Sequence, residues 1–374
     1  MNIVAFTPIS GPYTAARYSR FSEHFTGCNL TLVELGKIST IYPWEPQSNN
    51  VPYKRYILSA NPSEEQLLFV LYKNIFITLN RVQPDVVVIC GYGLRGMLIA
   101  LLWSLYKKKF TILLSETKEN DSSRYFIKEI FKKLIVSKFD SALVGGEVHK
   151  RYLIELGMKP ESIFLGYDVV GNDSFNPCQK KDYNSPYSDP YFLVVSRFVS
   201  KKNLPFLIDS YATYFKNFIG TPWHLCICGD GEIRPWLEKE ISNFNLENFV
   251  HLPGFLQLDE LIPYYLHAKC FIHASTCEQW GLVVNEAMAS GLPVLVSDQC
   301  GCYEDLVLEG VNGFGFDPQN QTQLTMLMQK VSSGEVDLYQ MGQASLQHIK
   351  KYSPDYFANG LMQAINYAVN ISSV

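Results

Sequence analysis

Short apolar runs alternate with helical patterns from one end of the 374-residue chain to the other. In the first half the runs are residues 3–7, 29–35, 85–90, 110–115, 141–145 and 162–165. In the second half they are residues 191–196, 224–229, 249–252, 270–274 and 293–297. Runs without polar alternation predict parallel strands covered on both faces. Amphipathic stretches between them, such as 204–215, 232–244, 259–267 and 281–290, predict helices. The resulting β-α-β-α rhythm is that of doubly wound α/β sheets. Residues 176–190 carry turn residues and no periodicity, and they separate two alternating units of similar size. We therefore expect one domain over 1–178, a linker over 179–190, a second domain over 191–350 and a closing helical segment over 351–374.

Composition narrows the class. The chain is too long for one ordinary domain. With 47% hydrophobic and 18% charged residues it can bury a large core. A formal net charge of -4 argues against nucleic acid as a partner, while leaving room for a local basic pocket. Nine cysteines include no Cys-x-x-Cys pair, so neither a zinc site nor a dithiol redox site is expected. Cys90, Cys226 and Cys228 sit in strand-like runs, which fits free thiols in a reducing compartment. Residues 1–6 lack the features of a signal peptide, and residues 97–106, the most apolar helical stretch, fall short of the roughly 18 residues of a spanning helix. A cytoplasmic location is the expectation.

Ligands on open parallel sheets bind beyond the carboxyl ends of the strands. In the second half those exits carry Arg197, Lys201 and Lys202, then Gly229-Asp230-Gly231, then Pro253-Gly254-Phe255, then Ser275-Thr276-Cys277-Glu278, then Ser297-Asp298-Gln299. Two kinds of cation, glycine turns and a carboxylate suit a diphosphate joined to a polyhydroxyl group. Arg197 and Lys202 form a natural diphosphate clamp, the guanidinium with forked donors and the ammonium as a point charge. In isolation they would read as a solvated surface pair, and Gly229-Asp230-Gly231 reads equally well as an ordinary βα turn. A helix starting near Gly281 would turn its amide groups and positive dipole end toward such a ligand. Glu286, one turn in, can reach a ribose diol, or can simply stabilise the helix start. Glu278, in the preceding loop, is not explained by helix stability.

Glu278, Glu286 and the following Ala-Met-Ala-Ser-Gly-Leu-Pro-Val resemble the signature of glycosyltransferase family 4, a group of retaining enzymes with the GT-B fold. The resemblance extends over Ser196–Lys202, Cys228–Gly231, 253–255 and 310–313, and reaches 166–170 and 175–177. It implies two Rossmann-like domains facing a central cleft, an acceptor-side domain first, and a last helix crossing back to it. It implies that Arg197 and Lys202 stabilise the leaving diphosphate and that Glu286 binds the ribose. Glu278 contacts the donor sugar, and the amides of Gly281, Leu282, Val283 and Val284 hold sugar or phosphate. Gly229 and Gly231 border the donor, Gly254 and Phe255 lie near the base, and Gly11 approaches the diphosphate from the first domain. The family often carries a glycine pair at Gly11, where this chain has Gly11-Pro12, and a histidine after the fourth main strand, where this chain has Glu116. Glu116 is therefore a candidate for the acceptor hydroxyl or the donor sugar.

The reaction so implied moves a sugar from a nucleotide-sugar donor, a UDP- or GDP-sugar, to a carbohydrate, lipid-linked or small-molecule acceptor. Retention of configuration rests on the resemblance. With Arg197, Lys202 and a helix dipole at the phosphates, no metal and no cofactor is expected. The alternatives are a non-catalytic nucleotide-sugar-binding protein and a GT-B epimerase or phosphorylase. Tyr42-Pro43-Trp44-Glu45-Pro46 could line an acceptor site or be a packed surface loop. Lys128, Lys132, Lys133 and Lys138 with Ile127, Ile130, Phe131 and Leu134, and Lys107-Lys108-Lys109, read first as a solvated face and second as a peripheral contact with the inner membrane.

Overall fold

The computed structural model describes residues 1–38, 50–62, 65–121 and 126–371. The 42–46 loop therefore lies outside the described residues. The chain divides into two compact units, Met1–Gly171 with Tyr352–Val374, and Asn172–Lys351.

The first unit is built on a parallel sheet in the order β3-β2-β1-β4-β5-β6-β7. Its strands are β1 (Asn2–Thr7), β2 (Asn29–Glu34), β3 (Lys54–Ile57), β4 (Val86–Cys90), β5 (Phe110–Ser115), β6 (Ser141–Val144) and β7 (Ile163–Leu165). Between them run α1 (Pro12–His24), α2 (Leu68–Val82), α3 (Arg95–Tyr106), α4 (Phe126–Val136) and α5 (Glu147–Glu155). β1 and β4 are central, and every apolar position on them from Val4 to Phe6 and from Val86 to Ile89 is buried. That burial on both faces is the reason these runs lack alternation.

The second unit has the sheet order β10-β9-β8-β11-β12-β13, again parallel. It comprises β8 (Tyr191–Val195), α6 (Leu204–Asn217), β9 (His224–Cys228), α7 (Arg234–Asn243), β10 (Val250–Gly254), α8 (Leu258–His267) and β11 (Cys270–His273). It continues with α9 (Leu282–Ala289), β12 (Val294–Ser297), α10 (Tyr303–Leu306), β13 (Gly313–Phe316), α11 (Gln321–Ser332) and α12 (Leu338–Ile349). Its core joins Phe192, Val194, Leu225 and Ile227 to Leu207, Tyr211 and Tyr214 of α6. The chain enters this unit through a 3-10 segment, Pro177–Asp182, whose start is capped where Asn176 Oδ1 accepts from the Cys178 amide at 2.9 Å.

The last helix, α13 (Pro354–Ile371), belongs to the first unit. Asp355 lies 3.5 Å from Arg20 and 3.4 Å from His24 of α1. Ser141 at the start of β6 donates to the Ala364 carbonyl at 2.8 Å.

Two strands escape the hydrophobic pattern. β3 is four residues long, lies at the sheet edge, and has two basic residues among its four. β13 alternates glycine with phenylalanine, and the glycines read as turn signals. Phe314 and Phe316 nevertheless fill the core while the backbone pairs with β12.

Candidate active site

The order of each sheet reverses at one place, between β1 and β4 in the first and between β8 and β11 in the second. Such switch points are where parallel sheets open a crevice. In the second unit Arg197 and Lys202 follow β8, and Glu278 follows β11, so all three stand at the switch point. Backbone hydrogen bonds stitch the exits together. Thr276 donates to the Lys201 carbonyl at 2.9 Å, linking the loops after β11 and β8. Gly301 donates to Glu278 at 3.0 Å and Cys302 to Trp280 at 3.2 Å, adding the loop after β12. Phe198 donates to Asp230 at 2.8 Å and Gly229 to Gly254 at 2.8 Å, adding β9 and β10.

Glu278 is the electrostatic centre. Lys202 Nζ donates to its Oε2, Lys201 Nζ stands 3.5 Å from Oε1, and His273 Nε2 stands 3.6 Å from Oε2. Ser275 Oγ adds a bond to Oε2 at 3.4 Å. Burial pushes the Glu278 carboxyl up, but His273 and the two lysines outweigh it and hold it far below the usual carboxylate range. Burial pulls His273 below its ordinary value, against the bond to Glu278. The imidazole is thus neutral near pH 7, and the lysines supply the countercharge.

Gly281 caps α9 with φ of 108°, a left-handed conformation that favours glycine. A Cβ there would stand 3.4 Å from His273 Nε2 and 3.5 Å from Cys302 Sγ. Trp280, buried, donates to Asn285 Oδ1 at 2.8 Å and pins the loop to the helix. The amides of Gly281, Leu282 and Val283 open the helix beside Glu278, while the Val284 amide bonds the Gly281 carbonyl at 2.8 Å. Glu286 is buried on α9.

Gly229 and Gly231 have a packing reason of their own. A Cβ on Gly229 would come within 1.8 Å of the Ser196 carbonyl, and one on Gly231 within 2.6 Å of the Phe198 carbonyl. The glycines let the β9 exit lie against the loop that carries Arg197. Gly254 has open space around it, and Phe255 beside it is exposed.

Gly11 and Glu116 lie on the first unit, at the carboxyl edge of its sheet. Gly11 is the cap from which α1 departs after β1, and Glu116 follows β5. The surroundings are buried. Arg17 Nε donates to the Val169 carbonyl at 3.0 Å, its guanidinium stands 4.8 Å over the Tyr167 ring, and its Nη2 is 3.8 Å from Asp168 Oδ1. Burial, with the charge of Glu116, pushes the Asp168 carboxyl well above its usual range despite Arg17. Burial also raises the Cys90 thiol to about 11. A small cavity there is lined by Thr7, Thr14, Arg17, Tyr18, Cys90, Leu114 and Tyr167.

Sequence reasoning did not find His273 or Arg17. His273 lay within the apolar run 270–274, and its polarity there was the available signal. Arg17 lies within α1 and has no local mark in the sequence. Among the described residues no group of three or more His, Cys, Asp or Glu could hold a metal ion, and no helix is long and apolar enough to cross a membrane.

Residues 176–348 match the family described as "Glycosyl transferases group 1". The chain is 29% identical over 198 residues to alpha-monoglucosyldiacylglycerol synthase of Acholeplasma laidlawii, covering 52% of this chain and 45% of that protein. The chain thus spans about half the length of the curated relatives it matches first. Among solved structures, sucrose-phosphate synthase from Thermosynechococcus elongatus superposes with a TM-score of 0.77 at 17% identity, over 100% of both chains. Anabaena HepE in complex with UDP-glucose does so with a TM-score of 0.72 at 16% identity, also over 100% of both. The two Rossmann-like units are those of the GT-B fold.

Proposed function

We propose that this chain is a retaining glycosyltransferase that takes a sugar from a nucleotide-sugar donor, a UDP- or GDP-sugar, and transfers it to a hydroxyl of a carbohydrate, lipid-linked or small-molecule acceptor. The observation that carries the reading is the convergence of Lys201, Lys202 and His273 on the half-buried Glu278, beside the amino end of α9. The match to "Glycosyl transferases group 1" over these same elements supports it.

Each residue then has a role. The bond between the anomeric carbon and the diphosphate oxygen breaks, and its electron pair leaves with the diphosphate. Arg197 and Lys202 neutralise that charge, and the opening amides of α9 contribute dipole and donors. Glu278 accepts hydrogen bonds from the donor sugar, and Lys202 keeps it ionised and in place. Glu286 binds the ribose, and Gly254 and Phe255 border the base. The acceptor oxygen bonds the anomeric carbon as its O–H bond breaks and the proton passes to the departing diphosphate oxygen, and Glu116 is the group proposed to polarise that hydroxyl. The cations already present do the work a divalent ion would do, so addition of EDTA leaves the rate unchanged. The acceptor side of the reading includes a peripheral contact with the cytoplasmic membrane face.

A thermal-shift panel of UDP-, GDP-, ADP- and TDP-sugars tests the donor. A ligand that binds only the folded chain raises its melting point, by RT ln(1 + [L]/Kd) in free energy. One donor class should do so, and Lys202→Ala should abolish the shift. Mass spectrometry with that donor and candidate acceptors then reads transfer, and proton NMR of the product reads the anomeric configuration. No shift with any donor, or donor consumption that needs no acceptor, would overturn the reading.

A further inference from the structure

We infer that the helical layer formed by α3 and α4 is a docking surface for an anionic lipid bilayer. This deepens the membrane contact in the proposed function, yet it stands on different residues from those of sugar transfer.

The α4 helix is apolar on two faces. Its inner face ends in the buried Val136, with Ile135 packed against the first core. Its outer face carries Ile127, Ile130, Phe131 and Leu134, which are 67%, 42%, 61% and 55% exposed. Their spacing of i, i+3, i+4 and i+7 makes one continuous stripe. A helix of a water-exposed layer normally turns polar residues outward, so this stripe faces something other than water. α3 repeats the device with Leu102, Leu105 and Tyr106, exposed at i, i+3 and i+4 while Trp103 faces the core. β4, β5 and β6 are adjacent and parallel, so their right-handed crossovers α3 and α4 share one face of the sheet.

Charge selects the partner. Lys107 and Lys108 are exposed after α3, with Lys109 half-buried beside them, and Lys128, Lys133 and Lys138 are exposed along or just after α4. Lys138 lies near the Lys107–Lys109 run at the amino end of β5, where Thr111 Oγ1 donates to the Lys138 carbonyl at 3.1 Å, and Lys133 and Lys128 continue along α4. Of the nearby acids, Glu129 is half-buried and Asp140 is exposed, and both are engaged by neighbouring donors. Glu129 accepts from Lys132 at 2.8 Å and from Tyr152 at 3.0 Å, and Asp140 accepts from the Thr111 amide at 2.7 Å. An apolar stripe bordered by outward lysines matches the acyl and headgroup zones of a bilayer bearing negative charge.

The test uses the full chain in sedimentation with phosphatidylcholine vesicles and with vesicles of about one-third phosphatidylglycerol. Binding should be confined to the anionic vesicles and should fade as salt rises from about 0.1 M to about 1 M. The double variants Phe131→Ser/Leu134→Ser and Lys133→Glu/Lys138→Glu should each weaken it at least tenfold. Because the positions are exposed, both variants should melt like the parent and keep the parent's donor shift. The inference is overturned if the chain ignores anionic vesicles, if either variant binds as the parent does, or if light scattering shows a dimer that Phe131→Ser/Leu134→Ser dissolves. None of these outcomes touches the donor reading, which fails on its own panel.

Discussion

Both sheets end in loops at their carboxyl edges, and the two edges are built from opposite materials. On the second unit a carboxylate is held ionised by lysines that reach it from another loop. On the first unit a carboxylate, Asp168, is buried with an arginine 3.8 Å away and is pushed toward its neutral form. The same fold, with the same switch point, thus holds a carboxylate ionised among cations at one edge and pushes one toward its neutral form at the other. The difference follows from which strand exits carry cations and from how deeply each is buried, not from topology.

Removing the cations should have the largest effect. Arg197→Met and Lys202→Met should each lower kcat/KM by about 10²–10³, the scale of losing one preorganised donor to a developing charge. Steady-state kinetics with the donor identified by thermal shift reads this. Arg17→Met, at the other edge, should act chiefly on stability, because its guanidinium is engaged by Val169 and Tyr167. If Arg17→Met costs as much in kcat at unchanged melting temperature, the two edges do not differ in the way their charges and burial imply.

Much of the second edge was legible in the sequence, and less of the first. Arg197, Lys202, Glu278 and Gly281 all follow strands within a few residues, so a reading of strand exits finds them together. The ion pair of Lys202 with Glu278 was not legible, because 76 residues separate the partners. His273 was hidden for a related reason. Its run, 270–274, reads as buried strand, and only the register of β11 against β8 and β12 turns the strand's last residue toward Glu278. At the first edge, Arg17 meets Asp168 across 151 positions, and no spacing rule connects a residue within α1 to the segment after β7. β3 and β13 stayed hidden because edge position and glycine content erase the period on which strand recognition depends.

The next effect is on stability and compares two glycines of the same edge. Gly229→Ala must place its Cβ 1.8 Å from the Ser196 carbonyl at φ of 141°, and the obstacle is backbone. Gly254→Ala meets only the cost of φ at 97°, with nothing within 4 Å. We expect a loss of about 3 kcal/mol or more for the first and about 1 kcal/mol for the second, read by urea unfolding. Equal losses would mean that the β9 exit does not rest on the loop carrying Arg197.

The two carboxylates also predict opposite dependence on pH. Glu278 has its folded pKa depressed, so its contribution is complete above the unfolded value near 4.5 and is lost as pH falls toward the folded one. Glu278→Gln should cost about 2 kcal/mol at pH 7, the worth of hydrogen bonds to a charged group, and the gap should close progressively below pH 4.5. Asp168 has its folded pKa raised, so the native state holds a proton that the unfolded chain releases. Stability from that site is present below the unfolded value and declines as pH rises above it. Asp168→Asn should therefore gain on the parent as pH rises above about 4. Unfolding curves at several pH values test both signs, and parallel profiles for the two variants would contradict the contrast.

The smallest effect belongs to His273, and it asks whether the second edge works by charge alone. The imidazole is buried and neutral, 3.6 Å from Glu278 Oε2 and 3.3 Å from Ser275 Oγ. It adds no charge to the site, but it limits where the Glu278 carboxylate can sit. His273→Ala should lower kcat about tenfold with little change in donor KM, a loss of positioning rather than of binding. His273→Gln, which keeps a donor at a similar reach, should recover much of the rate. A change in KM alone, or no recovery with glutamine, would assign His273 to packing, and the lysines would then account for the whole setting of Glu278.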